Sequence, residues 1–187
     1  RVEYVLDLHS SAPGTFNYAR AIVVGDHIDI PKALRDRCMA LAVACNYEYV
    51  FKPAKVAWSG MYFAPGSMFE IKYGIPALIL ETGAAPTTDD VESILYGMDN
   101  VLKHLKMIPG EPVKKNKQIF VDRLVAVRAQ RGGMFRLTAK MCDHVKKGDV
   151  IGEVTNLFNE VIETIRTPED GVIIKLATSA LICTGIR

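Results

Sequence analysis

Two short apolar runs, at residues 2–8 and 76–80, constrain this chain more than any other feature, because each stops at a side chain such runs do not ordinarily carry. The first ends at His9 and the second at Glu81. Runs of this length suit strands buried on both faces, and helical patterns lie between and after them. That order predicts an α/β layer structure: a mostly parallel sheet with flanking helices. The chain opens directly on the first run, with no initiator Met and no lead-in. Residues are therefore expected upstream, and the sheet is expected to be incomplete at its N-terminus.

The helices announce themselves by spacing. Across residues 29–47, Asp29 can cap, Pro31 suits a first turn, and Leu34, Cys38, Leu41, Ala42 and Cys45 recur at helical intervals. Ser67 and Glu70 have the spacing of a capping box, and Gly74 offers a left-handed stop before the second apolar run. A longer helix is predicted to open at Thr88-Asp89-Asp90, with Val91, Ile94, Leu95, Met98, Val101, Leu102 and Leu105 as its apolar stripe. It should end at Ile108-Pro109-Gly110.

Periodicity then fades. Residues 109–118 hold two prolines and three lysines, and beyond them short β-rich runs alternate with turn signals at Gly132-Gly133, Lys147-Gly148-Asp149 and Pro168-Glu169-Asp170-Gly171. The expected organisation is an α/β part at 1–110, a linker at 111–119, and a small all-β, barrel-sandwich-like domain at 120–187.

A formal net charge of +2 gives no field that would gather nucleic acid or an anionic membrane, and no apolar run approaches the ~20 residues of a membrane span. Four cysteines without a CxxC pair fit a reducing compartment, so a cytoplasmic location is expected. Cys38 and Cys45, seven apart, read as buried thiols on one helix face.

Ligands of open parallel sheets gather at the carboxyl ends of the strands, where His9 and Glu81 both fall. A neutral imidazole there can ligate zinc. Asp7 should support nearby backbone rather than meet the metal. A carboxylate after four apolar residues is costly to bury unless something pairs with it or protonates it, which is how a tuned general base looks. Read without further context, a lone histidine such as His9 is more often structural, and a carboxylate such as Glu81 more often a capping or ion-paired group. Zinc hydrolases use three protein ligands, and no histidine here has a glutamate three residues on: those positions are Ala12, Ile30, Met107 and Lys147. His27 and His104 read as surface residues.

Taken in order, several segments resemble the succinylglutamate desuccinylase/aspartoacylase family over nearly the whole chain. They are Asp7-Leu8-His9-Ser10; Gly66-Ser67; Gly74-Ile75-Pro76-Ala77-Leu78-Ile79-Leu80-Glu81-Thr82-Gly83; Gly132-Gly133-Met134-Phe135; Val145-Lys146-Lys147-Gly148-Asp149; and Thr167-Pro168-Glu169-Asp170-Gly171. The resemblance implies the C-terminal portion of a carboxypeptidase-like zinc deacylase with a β domain able to border its active site. It places the later zinc-binding histidine at His9 and the general base at Glu81. The family's early H-x-x-E zinc pair, and the Asn-Arg motif that holds substrate carboxylate, have no counterpart here and are expected upstream of Arg1.

The implied reaction is hydrolysis of a small N-acyl substrate, an N-acyl amino acid or related amine. A zinc-held water would be activated by Glu81. Substrate-binding residues stay unassigned, because residues 58–80 lack the arginine that relatives acting on acidic substrates carry and offer only Lys72. A homo-oligomer is an open expectation. Two other readings stand beside this one. A biotinyl or lipoyl carrier is disfavoured, because residues 153–166 contain no lysine to modify. A noncatalytic binding or assembly module remains the alternative to an enzyme.

Overall fold

Side chains on a strand alternate between faces, so an apolar run can form a central strand only if both faces are covered. The computed structural model describes residues 1–11, 14–54, 65–83, 88–114 and 117–185 and divides into two compact units; residues 77–80 meet that condition, all being buried, whereas Leu8 of the first run is exposed. The first unit comprises Arg1–Ser10 and Ala19–Leu124, the second Ser11–Tyr18 and Val125–Arg187.

The first unit is built on strands β1 (Val5–Ser10), the second half of β2 (Thr15–Ile22), β3 (Tyr49–Phe51), β4 (Ala77–Gly83) and β5 (Ile119–Val121), in the order β1-β4-β2-β3-β5. Its helices are α1 (Lys32–Ala44), α2 (Pro65–Tyr73) and α3 (Thr88–His104). The pairs β1–β4, β2–β3 and β3–β5 are parallel. On one face Ala21, Val50, Leu78 and Leu80 pack with Leu34, Cys38 and Leu41 of α1 and Val101 of α3. A smaller cluster of Ile22, Phe51 and Ile79, joined by Val121 and Leu124, lies apart from it. The mostly parallel α/β arrangement expected from the sequence is the one observed.

Several details differ from expectation. Strands β2 and β3 escaped notice because Tyr18, Arg20 and Tyr49 interrupt their apolar character. Residues 119–121, expected at the join of linker and β domain, pair in register with β3. The segment before them is tied down as well: Val113 N–H donates to Asn100 Oδ1, and Gln118 Nε2 donates to the Tyr47 carbonyl. Residues 115 and 116 of the expected linker lie outside the described residues. The N-cap position of α1 is Pro31 rather than Asp29, and no side chain caps it. The stripe on α3 is narrower than its pattern suggests: Val101 is buried, but Val91 and Leu95 are exposed.

Helix α2 starts at Pro65, which puts Ser67 and Glu70 inside it rather than at a capping box. Gly74 does end it in the left-handed conformation, at φ 62°. Glu70 is instead buried, its carboxylate beside the Cys38 thiol of α1. Burial pushes the Glu70 carboxyl up to about 7 and the Cys38 thiol up to about 12.

A carboxyl whose pKa is higher folded than unfolded stays neutral in the fold at pH values where the unfolded chain ionises it. The unfolded chain then binds fewer protons, and stability falls as pH rises from about 4.5 towards about 7. At about 1.4 kcal/mol per pH unit the upper bound is about 3 kcal/mol. Glu70→Gln should flatten this dependence: it melts close to the parent at pH 5 and several degrees above it at pH 8. Thermal melts at the two pH values check this, and parallel curves for the two proteins would show that Glu70 ionises without penalty.

The second unit is all-β. Strands β6 (Gly133–Leu137), β8 (Val150–Thr155), β9 (Val161–Arg166) and β12 (Leu181–Ile182) form an antiparallel sheet in the order β12-β6-β8-β9. Strand β7 (His144–Val145) pairs with β10 (Gly171–Val172), and β11 (Lys175–Ala177) pairs with the first half of β2, all antiparallel. Ala129, Val154, Ile165 and Ile182 form its core, with Phe135 and Ile151 against them. Gly152 is needed in β8 because a Cβ there would come within 2.5 Å of the Phe135 ring.

Candidate functional site

The face of the sheet that carries Ile79 changes character towards the ends of β1 and β4. Alternation places Glu81 on the same face as Ile79, and His9 on the same face as Asp7. The parallel register pairs Asp7 with Ile79 and His9 with Glu81, so all four share one face. His9 and Glu81 sit directly across from one another on adjacent strands, about 4.8 Å apart along the pairing direction. Each strand runs one or two residues past its candidate residue, so both side chains are borne by regular backbone.

His9 is half-exposed and leans on Asp7, with Nε2 3.1 Å from Oδ1. The other Asp7 oxygen accepts the Gly66 N–H of α2 at 2.9 Å. Asp7 is thereby fixed by backbone on one side and steadies the imidazole on the other, and Nδ1 is the ring nitrogen outside this contact. A carboxylate bonded to the far nitrogen of a histidine is how metal-binding imidazoles are commonly oriented. The helix can approach closely only because residue 66 has no side chain: a Cβ there would lie 2.8 Å from Ile79 Cγ1.

Glu81 is paired. Arg20, on the neighbouring strand β2, donates Nε–H at 3.1 Å and Nη2–H at 2.7 Å to the same oxygen, Oε2. The arginine side chain is 4% exposed and the glutamate 15%. The sequence required a partner or a proton for a carboxylate at this depth; the partner is Arg20, which sequence reasoning missed. The signal was available, since a lone arginine in the run Tyr18-Ala19-Arg20-Ala21-Ile22 has to meet an acid somewhere.

The described residues do not by themselves assemble a metal-holding set. Among the described residues, no group of three or more histidines, cysteines, aspartates and glutamates could hold a metal ion. His9, oriented by Asp7, fits a single ligand position. His27, with Nδ1 3.1 Å from the Pro53 carbonyl, and the exposed His104 contribute nothing to it. Cys38, Cys45, Cys142 and Cys183 form no disulfide among the described residues, and the first two are buried as expected. No helix among the described residues is long and apolar enough to cross a membrane.

An α/β sheet and an antiparallel β unit in this order form a fold seen in solved structures. The chain matches a succinylglutamate desuccinylase from Silicibacter with a TM-score of 0.83 at 21% identity, covering 98% of this chain and 56% of that one. It matches the apo ectoine utilization protein EutE (DoeB) from Ruegeria pomeroyi with a TM-score of 0.82 at 21% identity, covering 98% and 57%. A succinylglutamate desuccinylase/aspartoacylase from Rhodobacter sphaeroides gives 0.79 at 21%, covering 98% and 56%. The fold of this chain is thus that of succinylglutamate desuccinylase/aspartoacylase structures, and the chain spans a little over half the length of each. No protein-family model and no curated protein sequence matches it.

Proposed function

We propose that the chain belongs to the succinylglutamate desuccinylase/aspartoacylase family and serves zinc-dependent hydrolysis of an amide, the deacylation of an N-acyl amino acid or related small N-acyl amine. The observation that carries this reading is the register of β1 on β4, which sets the His9 imidazole beside the Glu81 carboxylate on one face of the sheet. In this reading His9 is one zinc ligand, oriented by Asp7, and the remaining ligands lie upstream of Arg1. Zinc, when bound, supplies Lewis acidity towards a water and towards the amide carbonyl. Glu81 takes a proton from the attacking water and delivers it to the leaving amine, so one carboxylate serves first as base and then as acid. The barrel-sandwich-like closure of the β unit, its role as a gate and a cytoplasmic location belong to the same reading.

The test uses the full-length protein, with metal analysis and release of free amine from a panel of N-acetyl and N-succinyl amino acids. The parent should carry about one zinc per chain and turn over at least one member of the panel. His9→Ala should retain less than half of that zinc and lose turnover. Full zinc occupancy in His9→Ala would remove His9 from the ligand set. A parent that binds no zinc and turns over no substrate would favour the noncatalytic module.

A further inference from the structure

We propose that Arg20 is the positioning residue of this centre, seating the Glu81 carboxylate by one oxygen so that it is presented on the face it shares with His9; the proposal rests on the reading of Glu81 as general base. Three observations carry it. Both Arg20 contacts go to Oε2, through Nε and Nη2, and leave Oε1 outside the arginine's grip. The guanidinium is almost completely buried, and its third nitrogen, Nη1, is buried with no hydrogen-bond partner among the described residues. The residues flanking Arg20, Ala19 and Ala21, pack in the apolar cluster on the opposite face, so the arginine stands between two apolar neighbours on its strand.

An arginine buried for stability alone would be expected to satisfy its donors, because an unmade bond in the interior is costly and a buried ion pair is often replaceable by apolar groups without loss. Arg20 accepts that cost and makes its side-chain bonds to Glu81. What the arrangement provides is anchorage: two N–H groups of a rigid planar fork converge on one oxygen and fix its place. A proton shuttle that must serve the attacking water and then the leaving amine needs that constancy, because small misplacements of a catalytic group are felt strongly in rate. Arg20 touches neither substrate nor metal in this scheme and acts only through Glu81.

Arg20→Lys keeps the charge and loses the fork, so it separates positioning from burial of a countercharge. In the full-length enzyme, assayed on the N-acyl amino acid panel, Arg20→Lys should lower kcat by about tenfold or more with KM within about twofold. Placed on a Glu81→Gln background, it should lower kcat no further, because the group it positions is already gone. Arg20→Lys with unchanged kcat, an effect confined to KM, or an equal loss in both backgrounds would each overturn the proposal. A raised KM would point instead to a substrate contact. Thermal melts of each variant show whether it is folded at the assay temperature. Where Arg20→Lys does not fold, Arg20→Gln, which retains a side-chain donor, takes its place under the same criteria. If Glu81→Gln alone keeps parental turnover, the base assignment itself has failed, a result distinguishable from failure of the Arg20 arm.

Discussion

Glu81→Gln in the full-length protein should lower kcat by about 10²–10⁴-fold while leaving KM and zinc content near parental values. The substitution is nearly isosteric, and the glutamine carbonyl can still accept an N–H from Arg20, so the strand and its register with His9 should persist. What disappears is the basicity that draws a proton from water and returns it to the leaving amine. A loss of this size without loss of metal separates Glu81 from His9, whose removal should act through zinc occupancy.

The same substitution carries a second signature. Arg20 is buried, and neutralising its partner leaves the guanidinium without a countercharge, a change that typically destabilises a fold by several kcal/mol. Glu81→Gln should therefore melt below the parent. Adding Arg20→Met, which removes the orphaned charge and keeps an apolar stem, should recover much of the melting temperature and none of the turnover. Stability and activity would then respond in opposite ways to one added substitution. Recovery of both together would mean that the activity loss of Glu81→Gln was unfolding.

How much of this could be read beforehand depended on whether a residue's neighbours were near in sequence. His9 and Glu81 were legible because each ends an apolar run, and a charge or imidazole at a strand terminus stands out against its own flanks. Leu34, Cys38 and Leu41 were legible as a helix face for the same local reason, and all are buried. Arg20 was not, because its meaning lies in a residue 61 positions away on the adjoining strand. Glu70 was misread because S-x-x-E is a common spacing, and what decided the matter was the packing of α2 against Cys38, which no local pattern encodes. Strand β5 was hidden in the lysine- and proline-rich stretch, where three residues of pairing with β3 outweigh weak local preference. Val91 and Leu95 show the converse: apolar spacing states which residues could be buried, and the neighbours present decide which are.

That distinction between potential and actual burial leads to a large stability contrast between two leucines of identical chemistry. Leu8 and Leu80 are register partners on β1 and β4 and share a face, yet Leu80 is 0% exposed and Leu8 is 47% exposed. Leu80 lies in the cluster with Leu78, Ala21, Val50, Leu41 and Val101. Deleting its branched end removes buried apolar surface and leaves a cavity that two helices and three strands can refill only in part. Leu80→Ala should cost about 2–5 kcal/mol, read as a lower denaturant midpoint with an unchanged slope. Leu8→Ala removes the same atoms from a side chain already half in water, and should cost under about 1 kcal/mol. Since both substitutions act on neighbouring positions of one strand pair, lost strand propensity is common to them and cancels in the comparison. The difference measures what α1 and α3 contribute over β4. If the two variants were equally destabilised, Leu8 would have to be covered in solution by polypeptide other than the described residues.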